Sequence, residues 1–422
     1  MNKPEHLLFA SLDCAVQAVQ AESIIPRALP ELPTGSLRVI GAGKAAAAMA
    51  AAVERHIPDH SKLQGLVITR HGHSVATQRI RVIEAGHPIP DEQGLRGARE
   101  IFDLARYSRP EDSLLVLLSG GGSSLLTLPE SGLDLHDVQT VTNDLLRSGA
   151  PIEAINCVRK HLSRTLGGKL AALTPARSCV LIISDVVGDD PSVIASGPFY
   201  PDPSSFADAL LTLEKWQVDV SRSVFDFLMA GRRGQCPETI KPGAPCFERV
   251  TTRIIGDAST ALSAAAAFFH DQGIETRIIA ADITSESVIA ASEHALWVRQ
   301  YRDQGHSRPI ALISGGETRV KVNGRGRGGR NSHYLLALAQ QLAGVPGVYA
   351  LAADTDGIDG TEDNAGAYLT PDIWRRAFER GLVAADYLAR NDAYDYFAAL
   401  NALVMTGPTR TNVNDYRVIL IT

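Results

Sequence analysis

The sequence predicts an α/β protein built of two domains. Three observations carry that expectation. Short apolar, β-branched runs recur along the chain, and each ends in glycine or a polar cluster. Longer stretches with helical periodicity lie between most of them, and strands alternating with helices imply parallel sheets covered on both faces. The length of 422 residues exceeds a single common core and suits two or three domains of roughly 100–200 residues each.

The expected strands are "LRVIGAG" (37–43), "GLVITR" (65–70), "LLVLLSGGG" (114–122), "CVLIISD" (179–185), "TRIIGD" (252–257), "TRIIAAD" (276–282), "IALISGGE" (310–317) and "YALAADTDG" (349–357). Expected helices include "KAAAAMAAAVERH" (44–56), "ASTALSAAAAFFHDQG" (258–273) and "SHYLLALAQQLAG" (332–344). Ligands in such folds gather at the carboxyl ends of strands, where this chain places its glycines, acids and serines. A proline- and glycine-rich stretch from about 200 to 250 contains "YPDPSS" and "GRRGQCPETIKPGAPC". It places a boundary near 245, giving domains over 1–245 and 246–422. The leading segment carries Glu5 and Asp13 inside an apolar pattern and reads as an amphipathic helix, not a signal peptide. Which domain it joins is not legible.

A net charge of −6 argues against general nucleic-acid or membrane binding. No uninterrupted apolar run approaches the ~20 residues of a spanning helix. The five cysteines are scattered, with no C-x-x-C, as suits reduced thiols and neither a disulfide frame nor a zinc knuckle. A soluble, cytoplasmic protein is expected. A homo-oligomer is compatible with the sequence but not readable from it.

Four segments carry chemistry. "VIGAGKAAAA" (39–48) joins a strand, a glycine turn at Gly41 and Gly43, and a helix start. It fits G-x-G-x-x-A, a loose dinucleotide pattern, although the strand that should end in a ribose-binding acid ends in Arg70, which could meet a 2′-phosphate. A tight turn of small residues is the plainer reading. Lys44 at the helix entry opposes the helix dipole, which is tolerable beside an anion. "LLSGGGSSLL" (117–126) offers Gly120, Gly121 and Gly122 for close backbone approach, with hydroxyls from Ser119, Ser123 and Ser124, and reads as an anion site. "IISDVVGDDPSVIASGP" (182–198) places Asp185 at a strand end and Asp189 and Asp190 in the loop, where carboxylates can hold Mg²⁺ or take a proton from a hydroxyl. "AADTDGIDGTEDNAGA" (352–367) supplies Asp354 and Asp356 nearest the strand end as metal candidates, with the more distal acids read as solvated. His71 and His73 find no third ligand, so no zinc is assigned. His87 reads as a loop residue. Arg159, Lys160, His161 and Arg164 form either a solvated face or a second anion contact.

The segment "LISGGETRVKVNGRGRGGRN" (312–331) concentrates Arg319, Lys321, Arg325, Arg327 and Arg330 among glycines, with a helix beginning near Asn331. Forked arginine donors match carboxylate and phosphate oxygens. Nucleic acid is disfavoured by the lack of interleaved aromatics and by the overall acidity. Anion turns, clustered arginines, a lysine and metal-binding carboxylates form the inventory that phosphoryl transfer requires.

The ordered motifs "GAGKAA", "GHPIPDE", "LLSGGGSSLL", "VRKHLS", "SDVVGDDPSVIASGP", "ISGGET", "GRGGRN", "DTDGIDGTEDNAGA" and "GPTRTNVND" resemble those of the glycerate 2-kinase family with a MOFRL domain, whose members are often labelled hydroxypyruvate reductase. The resemblance implies an N-terminal Rossmann-like domain, a C-terminal MOFRL domain and an active site in the cleft between them. It implies phosphorylation of D-glycerate, or a related small hydroxy acid, to the 2-phosphate with ATP and Mg²⁺. The family's active-site lysine matches Lys44, and its arginine matches Arg330, with Arg327 as the alternative. Ser332-His333 stand where the family has Gln-Glu, Leu166 where a lysine is frequent, and Arg410 where glycine is usual.

On this reading Arg330 clamps the substrate carboxylate, and Lys44 neutralises the transferred phosphoryl group. Asp189 orients or deprotonates the hydroxyl. Asp185, Asp354 and Asp356 serve the metal, while the glycine turns, Arg327 and Asn331 hold the nucleotide. An NAD(P)H-dependent hydroxypyruvate reductase and a non-catalytic nucleotide sensor are the rival readings.

Overall fold

The computed structural model describes residues 4–31, 35–57, 62–305, 308–343 and 345–422. Contacts divide the chain into two compact units, Ile24–Ile255, and Met1–Ser23 together with Gly256–Thr422. The division at 245 drawn from the sequence leaves the leading segment in the first domain. The contacts group it with the second.

The first unit is organised on β1 (Leu37–Ala42), β2 (Leu63–Arg70), β3 (Ile80–Ala85), β4 (Ser113–Ser119), β5 (Arg177–Ile183) and β6 (Val250–Gly256), in the spatial order β3-β2-β1-β4-β5-β6. The pairs β2–β3, β1–β2, β1–β4 and β4–β5 run parallel. Alternate residues Ile40, Ala42, Leu114, Val116, Leu118, Val180 and Ile182 form one apolar face. The helix Glu92–Arg106 covers it with Ala98, Ile101, Phe102 and Ala105, spaced three and four apart. That helix starts where it does because Asp91 accepts from Gly94 N at 2.9 Å. Each such Leu or Ile contributes about 1.5–3 kcal/mol on burial.

From β1 the chain builds outward through β2 and β3, then returns to add β4 on the other side. The strand order thus reverses between β1 and β4, which sets the loops that follow these two strands side by side at one edge of the sheet.

The stretch read as a linker instead holds two helices, Phe206–Lys215 and Arg222–Arg232. Serines 205 and 221 cap them, and Phe206, Ala209, Leu213, Val224 and Leu228 bury into a cluster with the helices Leu135–Arg147 and Ile152–Leu162. Capping serines beside prolines mimic a loop in composition, while the apolar spacing follows the helix.

The second unit contains β7 (Glu275–Ile283), β8 (Ile310–Gly316), β9 (Val348–Asp354), β10 (Gly366–Leu369), β11 (Leu403–Val404) and β12 (Asp415–Ile421), ordered β11-β10-β9-β12-β8-β7. Here the expectation of a parallel sheet is corrected. Only β7–β8 is parallel, and the other four pairs are antiparallel. Two of these pairs arise from β12, a fully buried strand that inserts between β8 and β9 from the opposite end, and the other two from the reversals β9–β10 and β10–β11.

The segment Pro4–Ala28 is long and apolar enough, by length and composition, to cross a membrane. Its first helix, Pro4–Ala18, buries Leu7, Leu8, Leu12 and Ala15 and packs on the helix Ala258–Asp271 of the second unit. Two hydrogen bonds fasten it: Thr411 Oγ1 to Val19 O at 2.8 Å, and Tyr416 Oη to Ser11 Oγ at 2.8 Å.

Candidate active site

In the first unit the turns after β1 and β4 clasp one another. Gly43 N donates to Ile68 O at 3.1 Å, Lys44 N to Gly120 O at 2.9 Å, and Ala45 N to Ser119 Oγ at 3.0 Å. Gly43 has φ 139°, and a Cβ there would fall on Ser119. Three successive N–H groups are thus satisfied within the protein. Gly41 lies inside β1, where a Cβ would run into Leu117. Gly41 and Gly43, expected to bind a cofactor, pack strand against strand, as the plainer reading of that turn held. Ser119 is fully buried in the same clasp.

The turn after β4 is different. No backbone hydrogen bond among the described residues engages the N–H of Gly121, and those of Gly122 and Ser123 open the short helix Gly122–Leu125, where intrahelical partners do not exist. Ser124 Oγ returns to Gly121 O at 3.2 Å, and Ser123 Oγ accepts from Ser196 Oγ at 2.8 Å. Asp185, at the end of β5, lies over Gly120 so closely that a Cβ there would overlap its carboxylate. His87, beyond β3, packs on Gly121, where a Cβ would come within 2.9 Å of Nε2.

Several cations act on His87 at this edge. The His87 pKa is lowered to about 4 by burial first, then by the charges of Lys44, Arg70, Arg159 and His73. Lys44 is half-buried, and Arg159 is only 8% exposed. Free backbone N–H groups beside such a cluster suit an anion. Asp189 is half-buried in the left-handed region at φ 55°, and Ala195 and Ser196 follow at 50° and 56°. Strained, non-glycine backbone of this kind persists where surroundings fix it, often at working sites.

In the second unit the arginine-rich loop meets carboxylates of its own chain. Arg330 Nε lies 2.7 Å from Asp415 Oδ1, Nη1 2.9 Å from Glu317 Oε1, and Nη2 2.7 Å from Asp354 Oδ2. Burial disfavours its charge, but Asp415, Asp354 and Glu317 together raise its pKa further. Arg327 pairs with Glu362 and Asp395 and lies over the Tyr394 ring. Asn331 donates through Nδ2 to Asp415 at 2.7 Å.

The start of the helix Arg330–Gln341 is occupied too. Asp359, fully buried, accepts from Asn331 N at 2.9 Å and from Ser332 N at 2.8 Å. Burial raises its pKa, against those hydrogen bonds. Asp354 Oδ1 accepts from Asp356 N at 3.0 Å, and Asp356 Oδ1 from Ile358 N at 2.9 Å. Arg330, Asn331, Asp354 and Asp356 are therefore brought together around Asp415, and Arg327 stands apart with Glu362 and Asp395. The distal acids read as solvated include the buried Asp359, a correction that follows from its capping role.

Among the described residues no group of three or more His, Cys, Asp or Glu side chains forms a ready metal cage. Mg²⁺ needs none, because it retains waters and binds through one or two carboxylates with substrate phosphates. Asp185, over a turn with open N–H groups, fits that requirement best.

Comparison with known proteins agrees with this architecture. Residues 7–229 match the model described as a domain of unknown function, DUF4147, and residues 310–415 match the MOFRL family. A D-glycerate 2-kinase from Thermotoga maritima is 38% identical over all of both chains. The chain belongs to the glycerate 2-kinase family with a MOFRL domain. The crystal structure of a Thermotoga maritima glycerate kinase superposes with a TM-score of 0.89 at 36% identity, covering 99% of each chain. An Agrobacterium vitis protein named provisionally as a hydroxypyruvate reductase is 44% identical over 97% of this chain and 92% of its own.

For three residues of this family member the structure adds to the sequence reading. His87 stood out only as a histidine before proline. Arg159 and Lys160 were read as a solvated face or a second anion contact, yet both are buried, and Lys160 pairs with Asp202 at 3.3 Å. The signal was available: in "INCVRKHL" the basic residues fall on a helix whose neighbours 155, 158 and 162 are apolar and buried as well, so no face of its last turns is left for solvent.

Proposed function

We propose that the chain transfers the γ-phosphoryl group of ATP to the 2-hydroxyl of D-glycerate, giving 2-phosphoglycerate and ADP. The observation that carries this reading is the open N–H turn at Gly121–Ser123, ringed by the Lys44, Arg70 and Arg159 charges that act on His87. Such a turn holds phosphate oxygens, and phosphoryl transfer depends on positioning and charge neutralisation. The full-length likeness to a D-glycerate 2-kinase names the acceptor.

In this mechanism Lys44 offsets charge developing on the transferred group. Asp189, whose carboxylate has no hydrogen-bond partner among the described residues, orients the acceptor hydroxyl and takes its proton. Asp185 would hold Mg²⁺, which neutralises nucleotide phosphates when bound. Arg330, expected to clamp the substrate carboxylate, is already joined to three carboxylates of its own unit, so the clamp is not assigned to it. Its immediate role is to order Asp354 and Asp415.

The reductase reading has the strand order of a dinucleotide fold in its favour. Against it, the N–H groups of the Gly43 turn that would meet a pyrophosphate are already bonded. Incubation with ATP, Mg²⁺ and D-glycerate, followed by phosphorus NMR, should show ADP and a 2-phosphate ester. NADH oxidation by hydroxypyruvate without ADP formation would reverse the assignment.

A further inference from the structure

The buried cation Arg159 is the least balanced charge in the first unit. Its Nε makes one long hydrogen bond, 3.4 Å to Thr142 Oγ1, and no carboxylate pairs with it among the described residues. Lys160 beside it has Asp202, and Lys169 has Glu130 at 2.8 Å. A guanidinium taken out of water without a counter-charge is destabilising. Its terminal nitrogens are absent from the buried, unpartnered atoms of the described residues, so the fork retains an opening while the stem is enclosed.

One helical turn earlier on the same helix, Asn156 is 3% exposed, and its Oδ1 is buried without a partner. Its Nδ2 donates to Val193 O at 3.4 Å, which fixes the amide orientation, because the flipped form would oppose two oxygens. An acceptor lacking a donor thus stands three residues from a cation lacking an anion. Side chains so spaced on a helix have Cβ atoms ~5–6 Å apart, within the span of a short hydroxy acid.

The surroundings connect this pair to the phosphate turn. Gln139 donates to Pro90 O at 2.7 Å, joining the helix Leu135–Arg147, which carries Thr142, to the loop of His87. Val193 belongs to the segment whose Ser196 bonds Ser123. Asn156 is thus bonded to the segment that touches Ser123, and the Arg159 charge reaches His87, which packs on Gly121.

We infer that Arg159 and Asn156 form the hydroxy-acid subsite, Arg159 binding the carboxylate and Asn156 Oδ1 accepting from a hydroxyl. This rests on the phosphotransfer reading above and names the residues that select its acceptor. A fully ionised phosphoryl group of a nucleotide at the same place would satisfy Arg159 but not Asn156, because it has no O–H to donate. A hydroxy carboxylate satisfies both, and in D-glycerate the donor to Asn156 is the 3-hydroxyl, since Asp189 takes the proton of the 2-hydroxyl.

The test compares wild type with Arg159→Met and Asn156→Leu, which keep volume and remove the polar group. In Arg159→Met, the ligand-free thermal midpoint should be equal to or above that of wild type, because an uncompensated buried charge is gone. The KM for D-glycerate should rise about 10- to 100-fold, as expected for loss of a charged hydrogen bond, with ATP affinity unchanged. Asn156→Leu should raise the same KM and weaken glycerate more than its analogue without the 3-hydroxyl, D-lactate. A folded Arg159→Met with unchanged KM for D-glycerate overturns the inference. So does a loss confined to ATP affinity, or a lowered midpoint with intact kinetics. If wild type makes no ADP with D-glycerate, the phosphotransfer reading fails by itself. Calorimetric titration of D-glycerate and of inorganic phosphate then decides the subsite, which stands only if glycerate binds wild type and not Arg159→Met.

Discussion

Arg330 bridges Asp354 and Asp415, its Nη2 and Nε each 2.7 Å from one of them. These two acids are register partners across the β9–β12 pair, so one guanidinium holds together like charges that would repel at a strand end. Removing it leaves Arg417 as the cation on Asp415 and takes away the guanidinium that separates this buried carboxylate from Asp354. Arg330→Met should cost about 3–5 kcal/mol of stability, measured by urea denaturation. Arg330→Lys keeps the charge but not the fork, and should recover only part of that loss.

Gly120 is in contact with Asp185, with no room for a side chain between them. Gly120→Ala must push the carboxylate or the turn aside by about an ångström. A displacement of that size at a reacting centre costs roughly 10²-fold in rate. Steady-state kinetics should show kcat falling by that order while the thermal midpoint moves little.

His87 supplies a pH signature. Its pKa in the folded protein, about 4, lies below the ordinary value of 6.5. Between these values the unfolded chain carries a proton that the folded chain lacks. Stability therefore rises with pH across that window, and the contribution is lost as pH falls through it. His87→Gln should flatten this part of the stability profile. An anion bound beside Lys44 and Arg159 screens the cations, so D-glycerate or inorganic phosphate should raise the His87 pKa, read by imidazole NMR.

Lys44→Met tests charge neutralisation directly. Loss of one preorganised group facing developing charge typically costs about 10²–10³ in kcat. The KM for D-glycerate should change little, in contrast to Arg159→Met.

Much of this architecture was legible because strand ends and glycine turns coincide in the sequence. All eight expected strands are present. Four more were not expected. β3, "IRVIEA", alternates polar and apolar residues over only six positions, and β12, "DYRVILI", reveals its place only through its partners. The serine–glycine turn and the Lys44 helix entry were recognisable at the site, as local backbone chemistry is written in consecutive residues. The partners of Arg330 were not. Asp354 and Asp415 lie far from it in the chain, and nothing near "GRGGRN" signals that its charges are answered from within. The same limit hid the unpaired state of Arg159, since the absence of a counter-charge is a property of the folded neighbourhood.

The helix Pro4–Ala18 is made before its packing partner, the helix Ala258–Asp271, with the whole Ile24–Ile255 unit synthesised in between. At ~5–20 residues per second, ribosomal synthesis separates the two by tens of seconds. An apolar surface must wait in the open for that interval while the parallel sheet completes itself. Nascent chains stalled within 24–255 should therefore recruit holding chaperones through their first turns, and a fragment beginning at Gly256 should aggregate unless the missing helix is supplied in trans.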